Sequence, residues 1–223
     1  MSDNFLQQLN DDLAAVVQKV RRSLVQVSNG RSGHGAGSIW HADGLIVTNN
    51  HVVGRRPPTV TLADGRSFTA TLLARDEEHD LAALAIDATN LPTIELGDSK
   101  SLKPGQWVTS VGHPWGILGA ITSGMVIGQT GNEWPELRQI SDEHEWVVAS
   151  LHMRPGHSGG PMVDDQGRLV GINTMINGPD VGVAIPYYPG SVAHAFYRRA
   201  LDLMHQHGSS AASTARQTTS SYV

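Results

Sequence analysis

The chain contains no cysteine. That excludes a disulfide framework, thiolate catalysis, cysteine-ligated zinc and iron–sulfur clusters. Aromatic residues make up only 5% of the 223 positions, so Val, Ile, Leu and Ala must build the core. Charged residues are scarce at 17%, against about 25% in an average domain. The formal net charge is −5, which predicts neither a nucleic-acid-binding surface nor a polybasic membrane patch. No apolar run reaches the ~18 residues of a membrane span. No basic segment followed by an apolar run is visible after Met1-Ser2-Asp3-Asn4, so the expectation is a cytoplasmic protein without a leader. Eleven histidines are present, but no HExxH pair. With cysteine missing too, no metal or cofactor is expected.

What is present divides the chain clearly. Over residues 3–26, Leu6, Leu9, Leu13, Val16, Val17, Val20 and Leu24 recur at three- and four-residue steps, predicting an amphipathic helix. Its stripe docks on the following domain or, with Phe5, forms a subunit contact. From Val25 to about Ile185, short β-branched runs alternate with Gly, Asn, Asp and Pro turns. They are Ser38–Trp40, Leu45–Thr48, Thr59–Leu62, Ser67–Ala74, Leu81–Ile86, Trp107–Val111, Met125–Gln129, Trp146–Ser150, Pro161–Val163, Leu169–Asn173 and Val181–Ile185. Such spacing predicts an all-β sandwich or barrels. Asp64-Gly65 and Gln166-Gly167 read as hairpin turns. A division near Gly97–Pro104 gives two halves, 25–100 and 101–190, after an N-terminal helical segment 1–24. Residues 191–207 predict a second helix ending at Gly208, and 208–223, rich in Ser, Thr and Ala, a disordered tail.

Three short stretches carry chemistry. In Gly156-His157-Ser158-Gly159-Gly160-Pro161, flanking glycines let Ser158 sit on a tight turn with converging backbone N–H groups; an ordinary Gly-rich turn reads the same way. In Thr48-Asn49-Asn50-His51-Val52-Val53, a histidine at a strand end can serve as a general base, or be inert. In His79-Asp80-Leu81, the aspartate is a turn cap, or orients a histidine ring. The order His, Asp, Ser is one of three that serine triads adopt, so the conjunction is more specific than any part.

These residues resemble the HtrA/Deg branch of trypsin-like serine proteases. The likeness continues through Gly35–Trp40, Leu45–Val53, Ala63–Arg66, His79–Leu84, Leu96–Ser99, Val111–Gly116, Ile121–Gly124, Gly156–Pro161, Gly171–Thr174 and Val181–Pro186. The resemblance implies two six-stranded antiparallel β-barrels, with an N-terminal and a C-terminal helix around them. It implies a serine endopeptidase acting on unfolded or flexible protein or peptide substrates, and a homotrimer. Carried over, Ser158 is the nucleophile, His51 the base and Asp80 its orienter. Gly156 and Ser158 N–H groups form the oxyanion hole. Thr174 bonds the aspartate, and Thr174, Met175 and Ile176 pair with substrate backbone.

Departures from that pattern set further expectations. His157 stands where the branch usually has Asn, and Val147–Arg154 differs from its usual run. Both motivate an alternative, a weakly catalytic peptide-binding or chaperone-like protein; a third reading is an adaptor acting through helix and tail. His152, six residues before Ser158, is expected at the base of the side-chain pocket, with Ile176 narrowing its mouth. That favours cleavage after small or medium aliphatic residues; an inward, protonated His152 would favour acidic ones. No PDZ domain follows within the chain. Ser220-Ser221-Tyr222-Val223 fits a PDZ-binding end, Ser–x–aliphatic–carboxylate.

Overall fold

Alternating burial along β1 (Leu24–Ser28) and the fully buried β3 (Leu45–Asn49) marks strands that face packed interiors rather than open water. The structure, a computed structural model, describes residues 2–30, 34–129, 144–176, 178 and 180–219. Fourteen strands occur among them, with one helix at either end of the order: α1 (Ser2–Ser23) and α2 (Val192–Thr219).

The first sheet contains β1, β2 (His34–His41), β3, β4 (Thr59–Leu62), β5 (Ser67–Thr69), β6 (Thr71–Asp76) and β7 (Leu81–Ala85). Its order is β5-β4-β1-β2-β3-β7-β6. The edge strands β5 and β6 are separated only by Ala70, whose N–H donates to the Pro58 carbonyl at 2.9 Å. They are two arms of one bent strand, so the sheet curls back towards itself. Val25, Val27, Ile39, Ile46, Val60, Ala82 and Leu84 fill it.

The second sheet takes β8 (Glu95–Leu96), β9 (Trp107–Gly112), β10 (Ala120–Gln129), β11 (Val147–Ser150), β12 (Pro161–Val163), β13 (Arg168–Ile176) and β14 (Val181–Pro186). Here β12 pairs with both β9 and β13, closing a six-stranded barrel, and β8 adds parallel to β13. Val108, Val126, Val147, Met162 and Val170 lie inside it. The expected two-barrel, trypsin-like architecture is therefore present. A third cluster, with Trp40, Val47, Val111, Val148 and Ile172, joins elements of both barrels.

Both helices dock on this body. Val20 of α1 is buried, Lys19 Nζ meets Glu95 at 2.5 Å, and Arg21 donates to the Leu118 carbonyl at 3.2 Å. Leu6 and Leu9, nearer the start of α1, are exposed. On α2, Tyr197 and, just before it, Tyr187 pack their rings 5.2 Å from Trp40. No helix among the described residues is long and apolar enough to cross a membrane.

The structure corrects three local expectations. The helix expected over 3–26 ends at Ser23, because Leu24–Ser28 pairs with both β2 and β4. As a strand this segment buries Val25 and Val27 fully in the core of the first barrel, where a further helical turn would not place them. The two-residue strand β8 was not anticipated. The second helix does not end at Gly208, nor is 208–223 disordered from its start: helix continues to Thr219. One helical glycine costs only about 1 kcal/mol relative to alanine, and Ala211, Ala212 and Ala215 follow it. Residues 220–223, and with them the PDZ-binding expectation, lie outside the described residues.

Candidate active site

Strand pairing explains why His51 and Asp80 meet. β3 and β7 run antiparallel with Asn49 opposite Leu81. The end of β3, which leads into a 3₁₀ turn containing His51, therefore lies beside the start of β7, which Asp80 precedes. His51 Nδ1 lies 2.7 Å from Asp80 Oδ2, and the His51 backbone N–H donates to Oδ1 at 3.0 Å. Asp80 has φ +55, in the left-handed region. Asp tolerates this region better than most residues. Its carbonyl accepts from Asn50 N–H at 3.1 Å and from the Asn49 side-chain amide at 3.0 Å, which hold the unusual conformation. Arg75 fixes the following loop through Asn50 Oδ1 and the Gly54 carbonyl.

The third donor to Asp80 comes from the other barrel. The β13–β14 register slips between Asn173 and Met175. Thr174 falls in that irregularity, and its hydroxyl donates to Asp80 Oδ2 at 2.6 Å. Burial by itself would raise the Asp80 pKa. The His51 ring, the Thr174 hydroxyl and the His51 N–H outweigh it and hold the carboxyl below the usual range.

The serine turn is fastened to both lobes. The Ser158 carbonyl accepts from Ala36 N–H of β2, and Gly159 N–H donates to the Asn173 carbonyl of β13, each at 2.8 Å. Gly159 has φ +80, and a Cβ there would lie 2.2 Å from Thr48 Oγ1 and 2.3 Å from the Ala36 carbonyl. The approach to the end of β3 thus requires glycine. Within the turn, the N–H groups of His157, Gly159 and Gly160 donate to Arg154, Asn173 and His157 carbonyls. Among the described residues, those of Gly156 and Ser158 have no hydrogen-bond acceptor. Nor does a hydrogen bond join Ser158 Oγ to the His51 ring in this resting arrangement.

His157 is buried beneath the turn, with Nδ1 3.1 Å from both the N–H and the carbonyl of Arg154. Desolvation lowers its pKa, so the ring is neutral near pH 7. His113 supports the same turn: its N–H donates to the Gly156 carbonyl at 2.8 Å.

The remaining candidates divide. Thr174 is buried, Met175 half-buried, and Ile176 45% exposed. His152 does not sit inward at a pocket base. Its side chain is 44% exposed and Nδ1 lies 2.5 Å from Asp180 Oδ1. Past the end of β11 the apolar neighbours are the buried ones: Leu151 and Met153 are 3% and 2% exposed, and a Cβ at Gly182 would meet both. Asp180, Asn49 and His113 were not singled out from sequence, because each acts through a partner distant in the chain.

The trypsin-like peptidase domain family matches residues 35–172. The chain belongs to this family. A probable periplasmic serine endoprotease, DegP-like, from Marinomonas is 40% identical over 147 residues, covering 66% of this chain and 30% of that protein. Serine protease HTRA2, mitochondrial, from Drosophila willistoni is 37% identical, covering 70% and 36%. Among solved structures, an HtrA-type protease, AlgW with tripeptide, aligns with a TM-score of 0.71 at 30% identity, covering 88% of this chain and 64% of that one. This peptidase chain spans about a third of the curated relatives' length.

The expected cytoplasmic location is overturned. Relatives from Marinomonas, Halomonas and Hahella carry the description periplasmic, which points to a periplasmic or exported compartment. The expectation rested on Met1-Ser2-Asp3-Asn4 alone.

Proposed function

We propose that this peptidase-family chain is an active serine endopeptidase, with Ser158 as nucleophile, His51 as general base and Asp80 as its orienter. The observation that carries the reading is the Asp80 carboxylate, which meets His51 Nδ1, His51 N–H and Thr174 Oγ1 within 3.0 Å. An ionised carboxylate only accepts, so Nδ1 carries its proton and the Nε2 lone pair is left for the serine hydroxyl. Ser158 Oγ would attack the scissile carbonyl as its proton passes to Nε2. Nε2 would return that proton to the leaving amine, and water would then hydrolyse the acyl-enzyme with His51 again as base. The developing oxyanion needs donors aimed at it beforehand. Gly156 and Ser158 N–H groups, which have no acceptor in the turn, suit that role.

The altered residue His157 is compatible with activity, since its ring is neutral, buried and engaged with the Arg154 backbone. Thr174, Met175 and Ile176 would pair with extended substrate backbone. With His152 bonded to Asp180, and Leu151 and Met153 buried beside Gly182, the groups nearest a side-chain pocket would be apolar, which favours small or medium aliphatic residues over acidic ones. Unfolded or flexible proteins in a periplasmic or exported compartment are the proposed substrates. A serine-directed phosphonate probe should label Ser158 stoichiometrically and stop peptide hydrolysis. A folded protein that stays unlabelled would favour the peptide-binding alternative.

A further inference from the structure

The turn between β6 and β7 carries more than Asp80. Glu78 and His79 lie in it, and His144, which precedes β11 of the other barrel, comes up against them. One ligating atom from each of the three residues lies within 4.8 Å of the other two. The His79 and His144 rings are 4.9 Å apart between centroids and inclined at 69°. We propose that Glu78, His79 and His144 form a divalent transition-metal site, with zinc as its natural occupant, that ties the two barrels together beside Asp80.

The orientation of His79 supports this. Its backbone N–H donates to Asp76 Oδ1 and its Nδ1 lies against Asp76 Oδ2, both at 3.0 Å. A carboxylate on Nδ1 fixes the tautomer with Nε2 unprotonated, the arrangement that metal-bound histidines use. Two imidazoles and a carboxylate suit zinc; calcium and magnesium prefer oxygen alone. At Zn–N distances of 2.0–2.1 Å, tetrahedral ligand atoms lie about 3.3 Å apart. From separations of at most 4.8 Å the closing movement is about 1.5 Å or less, and Glu78 is exposed and able to adjust. Water would complete the tetrahedron, since the rings border a cavity of about 320 Å³. Asp76, Glu77 and Glu145 add negative charge to the neighbourhood. Sequence motifs cannot reveal such a site, because its ligands come from segments 65 residues apart and no spacing rule joins them.

The test is calorimetric titration of zinc ion alone into metal-stripped Ser158→Ala protein, full chain. One equivalent should bind with micromolar or tighter affinity. His79→Gln and His144→Gln should each weaken it at least tenfold, and Asp76→Asn by about 10–100-fold through the lost orienting bond. Binding no tighter than millimolar, or binding that survives both histidine replacements, overturns the site. Should a replacement fail to fold, ring-nitrogen resonances of the unsubstituted histidines decide. Zinc should shift those of His79 and His144; shifts confined to other histidines overturn the proposal.

Discussion

His113 makes a specific demand on the pH dependence of stability. It follows β9, is 5% exposed, and supports the serine turn through its own N–H. Its Nδ1 accepts from Gly119 N–H at 3.2 Å, and Nε2 is buried without a partner among the described residues. Desolvation is the main reason its pKa falls to about 4. His157, Arg21 and His34 push the same way, and the Val25 backbone opposes them. In the unfolded chain the value returns to about 6.5. Between the two, the unfolded chain binds a proton that the folded one refuses. The contribution is complete above about pH 6.5 and is lost as pH falls towards 4. Each pKa unit corresponds to about 1.4 kcal/mol, so about 2 kcal/mol should disappear between about pH 7.5 and pH 5. Urea unfolding of Ser158→Ala protein, which cannot digest itself, measures this. His113→Gln keeps an acceptor near Gly119 but cannot titrate. Its stability should fall less with acid than that of the parent, by that amount. Other titrating groups cancel in the comparison. Parallel pH profiles for the two proteins would refute the argument and mean that His113 is solvated or protonated in the fold.

Three further outcomes follow from the same contacts. Ser158→Ala should reduce turnover on the order of 10⁶-fold with an unchanged circular dichroism spectrum; turnover close to the parent's would remove Ser158 from its role. Thr174→Val removes a 2.6 Å donor to Asp80 and should lower kcat by about 10–100-fold with little change in KM, as one lost charge-assisted hydrogen bond implies. A kcat within twofold of the parent would make that bond incidental. Gly159→Ala places a Cβ against Thr48 Oγ1 and the Ala36 carbonyl at positive φ, so it should lower the melting temperature sharply and abolish hydrolysis together; an unaltered melting curve would show that the turn can yield.

The strands were legible because their information is local. Leu45-Ile46-Val47 and Val181–Ile185 are largely apolar runs bounded by turn residues, Trp107–Val111 is a β-prone one, and each became a strand. Asp64-Gly65 and Gln166-Gly167 place glycine at φ +88 and +76, which their turns require. The motifs around His51, Asp80 and Ser158 were equally visible, since residue type and chain order are properties of the sequence. What the chain could not disclose was decided by contacts between distant segments. Leu24–Ser28 continues the apolar pattern of α1, and only its pairing with β2 and β4 makes it a strand. His152 has the position of a pocket residue, yet Asp180, 28 residues on, draws its ring outward. Asp80 gains its third donor from a strand irregularity at Thr174, in the other barrel. Glu78, His79 and His144 meet only where the barrels meet. Periodicity and turn chemistry act over a few residues, whereas burial, tautomer and ligand geometry depend on neighbours that only the closed barrels bring together.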